Sequence, residues 1–118
     1  MAVQPHSGRS PVPDVGDIVG LASRPQAGHE QAGHRPAVVL SPAAYNGRTG
    51  LLVCCPTTTR IRGYPFEVTL AGEPASVALA DRIESLDWPA RRALRNGAVT
   101  AAELAAIRTR AIALIGGV

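Results

Sequence analysis

Lysine is absent from this 118-residue chain: all twelve basic residues are arginine. Against nine Asp and Glu they leave a formal charge of +3. A charge of that size favours polyanionic partners without requiring one, and the all-arginine usage reads as the composition of a GC-rich genome. Aromatic side chains are nearly as scarce, with Tyr45, Tyr64, Phe66 and Trp88 the whole set. The interior therefore has to come from Val, Leu, Ile and Ala. Cysteine is limited to Cys54 and Cys55. Adjacent strand residues point to opposite faces, which argues against a disulfide between them. No further Cys or His stands at ligand spacing, so no metal or other cofactor is expected, and the thiols read as buried and reduced. No apolar run reaches membrane-spanning length. The N-terminus lacks the apolar centre of a secretory signal. A soluble, cytoplasmic, single-domain protein is the expectation.

What is present is a series of short apolar runs separated by turn residues. Residues 1–13 are rich in Pro, Ser and Gly and read as a flexible N-terminal tail, leaving 14–118 as one domain. Strands are expected over 17–22, 36–40 and 51–58, with Asn46-Gly47 and Gly50 marking a turn before the third. Residues 66–70 alternate, with Phe66, Val68 and Leu70 on one face. A single strand is expected over 77–85, on which Asp81 interrupts an apolar face and needs a partner or a bulge. Asp87 as N-cap and Pro89 in the first turn predict a short helix closed by Asn96-Gly97. Thr100 and Glu103 form a capping box for a last helix. Its apolar stripe is Leu104, Ile107, Ala111, Leu114 and Ile115. Many short strands followed by helices argue for a mostly β, α+β architecture: a small, largely antiparallel barrel or sheet closed by helices.

One stretch carries the chemistry: Glu30-Gln31-Ala32-Gly33-His34-Arg35-Pro36, entering the apolar run Ala37-Val38-Val39-Leu40. Pro36 fits the start of a strand but not its middle. Arg35 is thereby set where a loop enters a rigid sheet, a position that often carries function. Its planar, permanently charged guanidinium suits a phosphate. This stretch resembles the signature of the MazF/PemK family of toxin ribonucleases. The likeness continues through Pro13-Asp14-Val15-Gly16-Asp17, Tyr45-Asn46, Pro56-Thr57-Thr58-Thr59, Gly63-Tyr64-Pro65-Phe66-Glu67-Val68 and Val77-Ala78-Leu79-Ala80-Asp81 to the C-terminal helix. It covers about residues 13–116, with the blocks in the family's order.

The resemblance implies an SH3-like barrel with a C-terminal helix, and a homodimer. It also implies a sequence-specific, metal-independent endoribonuclease toxin (an mRNA interferase) acting on single-stranded RNA. The 2′-hydroxyl would attack the neighbouring phosphate, leaving a 2′,3′-cyclic phosphate or its opened 3′-phosphate and a 5′-hydroxyl. A cognate antitoxin with an acidic, disordered segment would neutralise it. The toxin–antitoxin complex is also implied to bind its promoter DNA. Such cleavage needs a group to take the 2′ proton, one to stabilise the phosphate and one to protonate the 5′ oxygen. Arg35 matches the phosphate-stabilising position and Thr58 the family's catalytic threonine. Glu30 matches an acid that matters for activity, as base or as orienter of Arg35.

His34 has a suitable pKa for proton transfer. On a pleated strand it points away from Arg35, so it reads as structural or RNA-contacting. Arg24, Arg48, Arg60 and Arg62 are candidate RNA contacts, and Tyr64 a candidate base-stacking ring. Arg82, Arg91, Arg92, Arg95, Arg108 and Arg110 read as helix or strand surface. The first loop departs from the family pattern: Gly20-Leu21-Ala22-Ser23-Arg24-Pro25 stands where an aromatic and acidic run is common. The recognised RNA word therefore does not carry over. The alternative reading is a non-catalytic toxin on the same barrel that poisons gyrase by protein contact; it would need residues of the C-terminal helix and not Arg35.

Overall fold

The computed structural model describes residues 11–23 and 34–116. Its elements run β1 (Asp17–Ala22), β2 (His34–Val39), α1 (Ala43–Thr49), β3 (Leu51–Thr58), β4 (Glu67–Leu70), β5 (Ser76–Leu79), β6 (Glu84–Asp87), β7 (Leu94–Ala98) and α2 (Ala101–Ile115). All strand pairings are antiparallel. The strand order is β4-β5-β3-β2-β1-β7, with β6 also against β3. β3 is the hub. It pairs with β2 along one edge, while the other edge is shared: β6 takes Leu51 to Cys54 and β5 takes Thr57 and Thr58. A central strand that changes partner halfway curls the sheet into a half-barrel, and α2 packs on one face of it through Ile107.

Period-2 alternation accounts for the core. Val38 and Cys55 face Val68, Leu70, Ala78, Ala80 and Ile107 of α2. Their neighbours Ala37, Val39 and Cys54 turn the other way and join Val19, Leu21, Leu52 and Leu86, edged by Trp88 and Ala93. Full burial of each Val or Leu is worth about 2 kcal/mol, and both faces of β2 and β3 use it. Cys54 and Cys55 are free and buried on opposite faces. Burial pushes each thiol up to about 12.

Four expectations are corrected. The second strand runs His34–Val39 rather than 36–40, so Pro36 stands inside it, opposite Gly20. The turn at Asn46-Gly47 is a helix, α1, and the left-handed glycine that ends it is Gly50, at φ 76°. A buried polar network fixes this helix. The Asn46 carboxamide oxygen accepts from Ser41 Oγ at 2.6 Å, and its nitrogen donates to the carbonyls of Pro13 and Ser41 at 2.8 and 2.9 Å. Asp14 accepts from Ala43 N–H at 2.9 Å, capping the helix from afar. The single strand over 77–85 is two strands, β5 and β6, because the halves of β3 that they pair with diverge. Asp81 falls in the turn between them and finds its partner there: the Tyr64 hydroxyl donates to it at 3.1 Å.

The helix over 87–97 is one capped turn followed by β7. Asp87 does cap, accepting from Ala90 N–H at 2.8 Å. Arg92 then adopts a left-handed φ of 50° and the chain departs. Residues Leu94 to Ala98 instead cover the open edge of β1, which local propensity cannot reveal. The last helix has its capping box, Thr100 with Glu103. Of its apolar stripe, Ile107 and Ala111 are buried, whereas Leu114 and Ile115 are exposed. Among the described residues no helix is long and apolar enough to cross a membrane.

Candidate active site

Arg35 is the second residue of β2 and lies opposite Leu21 of β1. The β2–β3 ladder pairs Ala37 with Pro56, Val38 with Cys55 and Val39 with Cys54. The ladder ends at Ala37 and Pro56, and alternation along both strands assigns Arg35 and Thr58 to the face that those two residues share. Both are an even number of residues from Ala37 and Pro56, so they share a face. Thr57 and Thr59 fall on the opposite face by the same alternation.

Arg35 and Thr58 both line one open cleft of about 270 Å³ with Arg60, Arg62, Tyr64, Glu67 and Arg82, and Thr57 also reaches its edge. A second, larger cleft of about 590 Å³ adjoins it, walled by Leu21, Ser23, Arg35, Arg82, Glu84 and Arg91. The loop between β3 and β4 is held in place by Glu67, whose carboxylate accepts from the N–H groups of Arg62 and Gly63 at 2.9 and 2.8 Å. With that carboxylate occupied by backbone, the cleft presents chiefly the guanidinium groups of Arg35, Arg60, Arg62 and Arg82.

Thr58 is also prepared. Its Oγ accepts from Arg60 N–H at 3.0 Å, which orients the hydroxyl and leaves its proton to donate. Tyr64 is tied to Asp81. Desolvation first, and then the hydrogen bond it donates, hold its phenol above the ordinary tyrosine range.

The other sequence-derived candidates divide as follows. His34 opens β2 on the face away from Arg35. It crowds Gly20 and Asn96: a Cβ added to Gly20 would come within 3.2 Å of His34 Cβ and 3.4 Å of Asn96 Nδ2. Arg48 is exposed in the last turn of α1 and lines neither cleft. Glu30 and Arg24 lie outside the described residues. Sequence reasoning missed Arg82, Arg91 and Glu67. Asp81 was the available signal for Arg82: a charge interrupting an apolar face marks a break in the strand, and a break turns the next residue outward. Among the described residues no cluster of three His, Cys, Asp or Glu could hold a metal ion.

A small curled β-sheet with an arginine and a threonine in one arginine-lined cleft has the charge and the donors that suit a phosphate. Comparison with known proteins gives the family. Residues 14–115 match the family described as PemK-like, MazF-like toxin of type II toxin-antitoxin system. The endoribonuclease toxin MazF of Escherichia coli K12 is 52% identical over 106 residues, spanning 89% of this chain and 96% of the relative. A crystal structure of MazF from Deinococcus radiodurans superposes with a TM-score of 0.79 at 54% identity, covering 90% of this chain and 98% of that one. A MazE–MazF complex from the same organism superposes at 0.83 and 53% identity, covering 91% and 98%. The chain belongs to the PemK/MazF toxin family and is, in class, an endoribonuclease toxin.

Proposed function

We propose that the chain cleaves single-stranded RNA by attack of a 2′-hydroxyl on the adjacent phosphate, without a metal ion. The observation that supports this reading is that Arg35 and Thr58 line one cleft with three further arginines. The 2′ oxygen bonds to phosphorus and the bond to the 5′ oxygen breaks. A 2′,3′-cyclic phosphate and a 5′-hydroxyl result. Negative charge builds on the non-bridging oxygens as phosphorus becomes five-coordinate. The Arg35 fork donates to those oxygens, and the Thr58 hydroxyl adds a further donor. Arginine does not deprotonate at working pH. The 2′ proton is therefore assigned to Glu30, directly or through water, and from there to the departing 5′ oxygen. This assignment rests on the family resemblance.

The same groove accounts for inhibition. The relative from D. radiodurans is found in complex with MazE. By analogy, an acidic segment of a cognate antitoxin would lie over Arg35, Arg60, Arg62 and Arg82 and shut out RNA. A homodimer is proposed on the same grounds, and the exposed Ile112, Leu114 and Ile115 of α2 supply apolar surface for such contacts.

The test is incubation with a long RNA in EDTA, mapping cut ends, with Arg35→Ala as control. Discrete cuts bearing 5′-hydroxyls that vanish in the variant are expected, and they supply the recognised word. Intact RNA at high protein concentration overturns the nuclease reading and directs attention to protein targets such as gyrase. Arg35→Lys keeps the charge but removes the fork. Near-full activity of that variant would show that charge alone suffices.

A further inference from the structure

The two clefts at the site share only Arg35, Pro56 and Arg82. A strand that passes from one cleft to the other must cross this line. Several other arginines are already tied down. Arg95 pairs with Asp17 at 2.9 Å, and Arg91 donates to the Ala22 carbonyl at 2.7 Å. Arg110 donates to the carbonyls of Pro65 and Ala106. The guanidinium of Arg82 is exposed and, among the described residues, makes no hydrogen bond or ion pair.

Its backbone, in contrast, is fixed. Arg82 N–H donates to the Leu79 carbonyl at 3.0 Å, and Ala80 N–H to the Phe66 carbonyl at 3.0 Å. The neighbouring Asp81 is held by Tyr64 at 3.1 Å. A cation with no hydrogen bond or ion pair among the described residues, on a pinned turn at the junction of two clefts, is placed to meet an anion from outside the chain.

We infer that Arg82 is a second phosphate contact of this site, holding the phosphate next to the one at Arg35 as the RNA passes between the clefts. The inference rests on the nuclease reading above and adds a residue that neither strand periodicity nor the family signature marks. Arg82 positions the strand and takes no part in bond-making. Its loss should therefore weaken binding, whereas loss of Arg35 should slow the chemistry. The Tyr64–Asp81 hydrogen bond is the device that holds the turn.

The experiment uses a short single-stranded RNA spanning one mapped cut site, and the same RNA with a 2′-deoxy nucleotide at that site, which binds without being cut. For Arg82→Ala, KM rises about tenfold. The slope of log Kd against log salt for the deoxy RNA falls by about 0.7, the loss of one phosphate contact to a single strand. Arg82→Lys restores most of both, because one point charge serves a non-reacting phosphate. Arg108→Ala, on the exposed surface of α2, controls for charge alone. A wild-type KM and salt slope in Arg82→Ala overturns the inference and leaves the nuclease reading intact. A fall in kcat at unchanged KM also overturns it, since Arg82 would then belong to the chemistry. If the wild-type protein leaves RNA uncut, the nuclease reading fails and takes the inference with it, an outcome distinct from a wild-type KM in Arg82→Ala.

Discussion

Thr58→Val tests the strand register on which the proposed site depends. Valine keeps the β-branched shape of threonine and removes one hydroxyl. Thr58 has the Arg35 side of β3, and its Oγ already accepts from Arg60 N–H at 3.0 Å, so its O–H is the group available to RNA. A hydrogen bond to a charged oxygen is worth about 1.5–3 kcal/mol. If it forms chiefly in the transition state, the loss is about 10- to 100-fold in the cleavage rate. Stability should change by less than about 1 kcal/mol, because the freed Arg60 N–H is exposed and water replaces the partner. Single-turnover cleavage of a fluorescent RNA reads chemistry apart from product release, and thermal unfolding verifies the fold. Thr58→Ser should retain most activity. Thr59→Val, on the other face and outside both arginine-lined clefts, should cut at the wild-type rate. Wild-type cleavage by Thr58→Val, or a larger loss in Thr57→Val, would refute the register.

Asn46→Ala removes an acceptor from Ser41 Oγ and a donor from two buried carbonyls; a loss of about 3–5 kcal/mol is expected in urea unfolding, and less than about 1 kcal/mol would contradict the network. Glu103 accepts from the N–H groups of Thr100 and Ala71, which hold its carboxyl below the usual value of 4.5. Its stabilisation is thus full above that pH and is lost as pH falls through the lowered pKa. Glu103→Ala should cost about 1 kcal/mol at pH 7 and progressively less in acid, as read from paired denaturation curves. Cys54 and Cys55, raised to about 12 by burial, should resist a thiol reagent at pH 8 until the protein unfolds. Because the unfolded thiols ionise near 9 and the folded ones do not, stability should decline as pH rises from about 9 towards 12, by comparison with a Cys→Ala pair.

What the sequence determined by itself is what short-range chemistry specifies. Alternation and apolar runs set β1 and β3 to the residue, and the period-2 pleat put Cys54 and Cys55 on opposite faces. The reciprocal bonds of Thr100 and Glu103 began α2, since both partners lie within one helical turn. Pro36 read as the start of β2, but the strand opens two residues earlier, at His34, because β1 pairs with it that far, and Arg35 is its second residue. The rest required partners distant in the chain. Residues 94–98 became β7 because the edge of β1 needed covering. Residues 43–49 became a helix because Asp14 and the Pro13 carbonyl reach them from thirty residues away. Residues 76–87 split because β3 offers two partners on one edge. The meeting of Arg35, Thr58 and Arg82 is of the same kind. Side-chain period tells which face a residue takes, but only the pairing of β2 with β3 and the turn after β5 bring these three residues to one cleft.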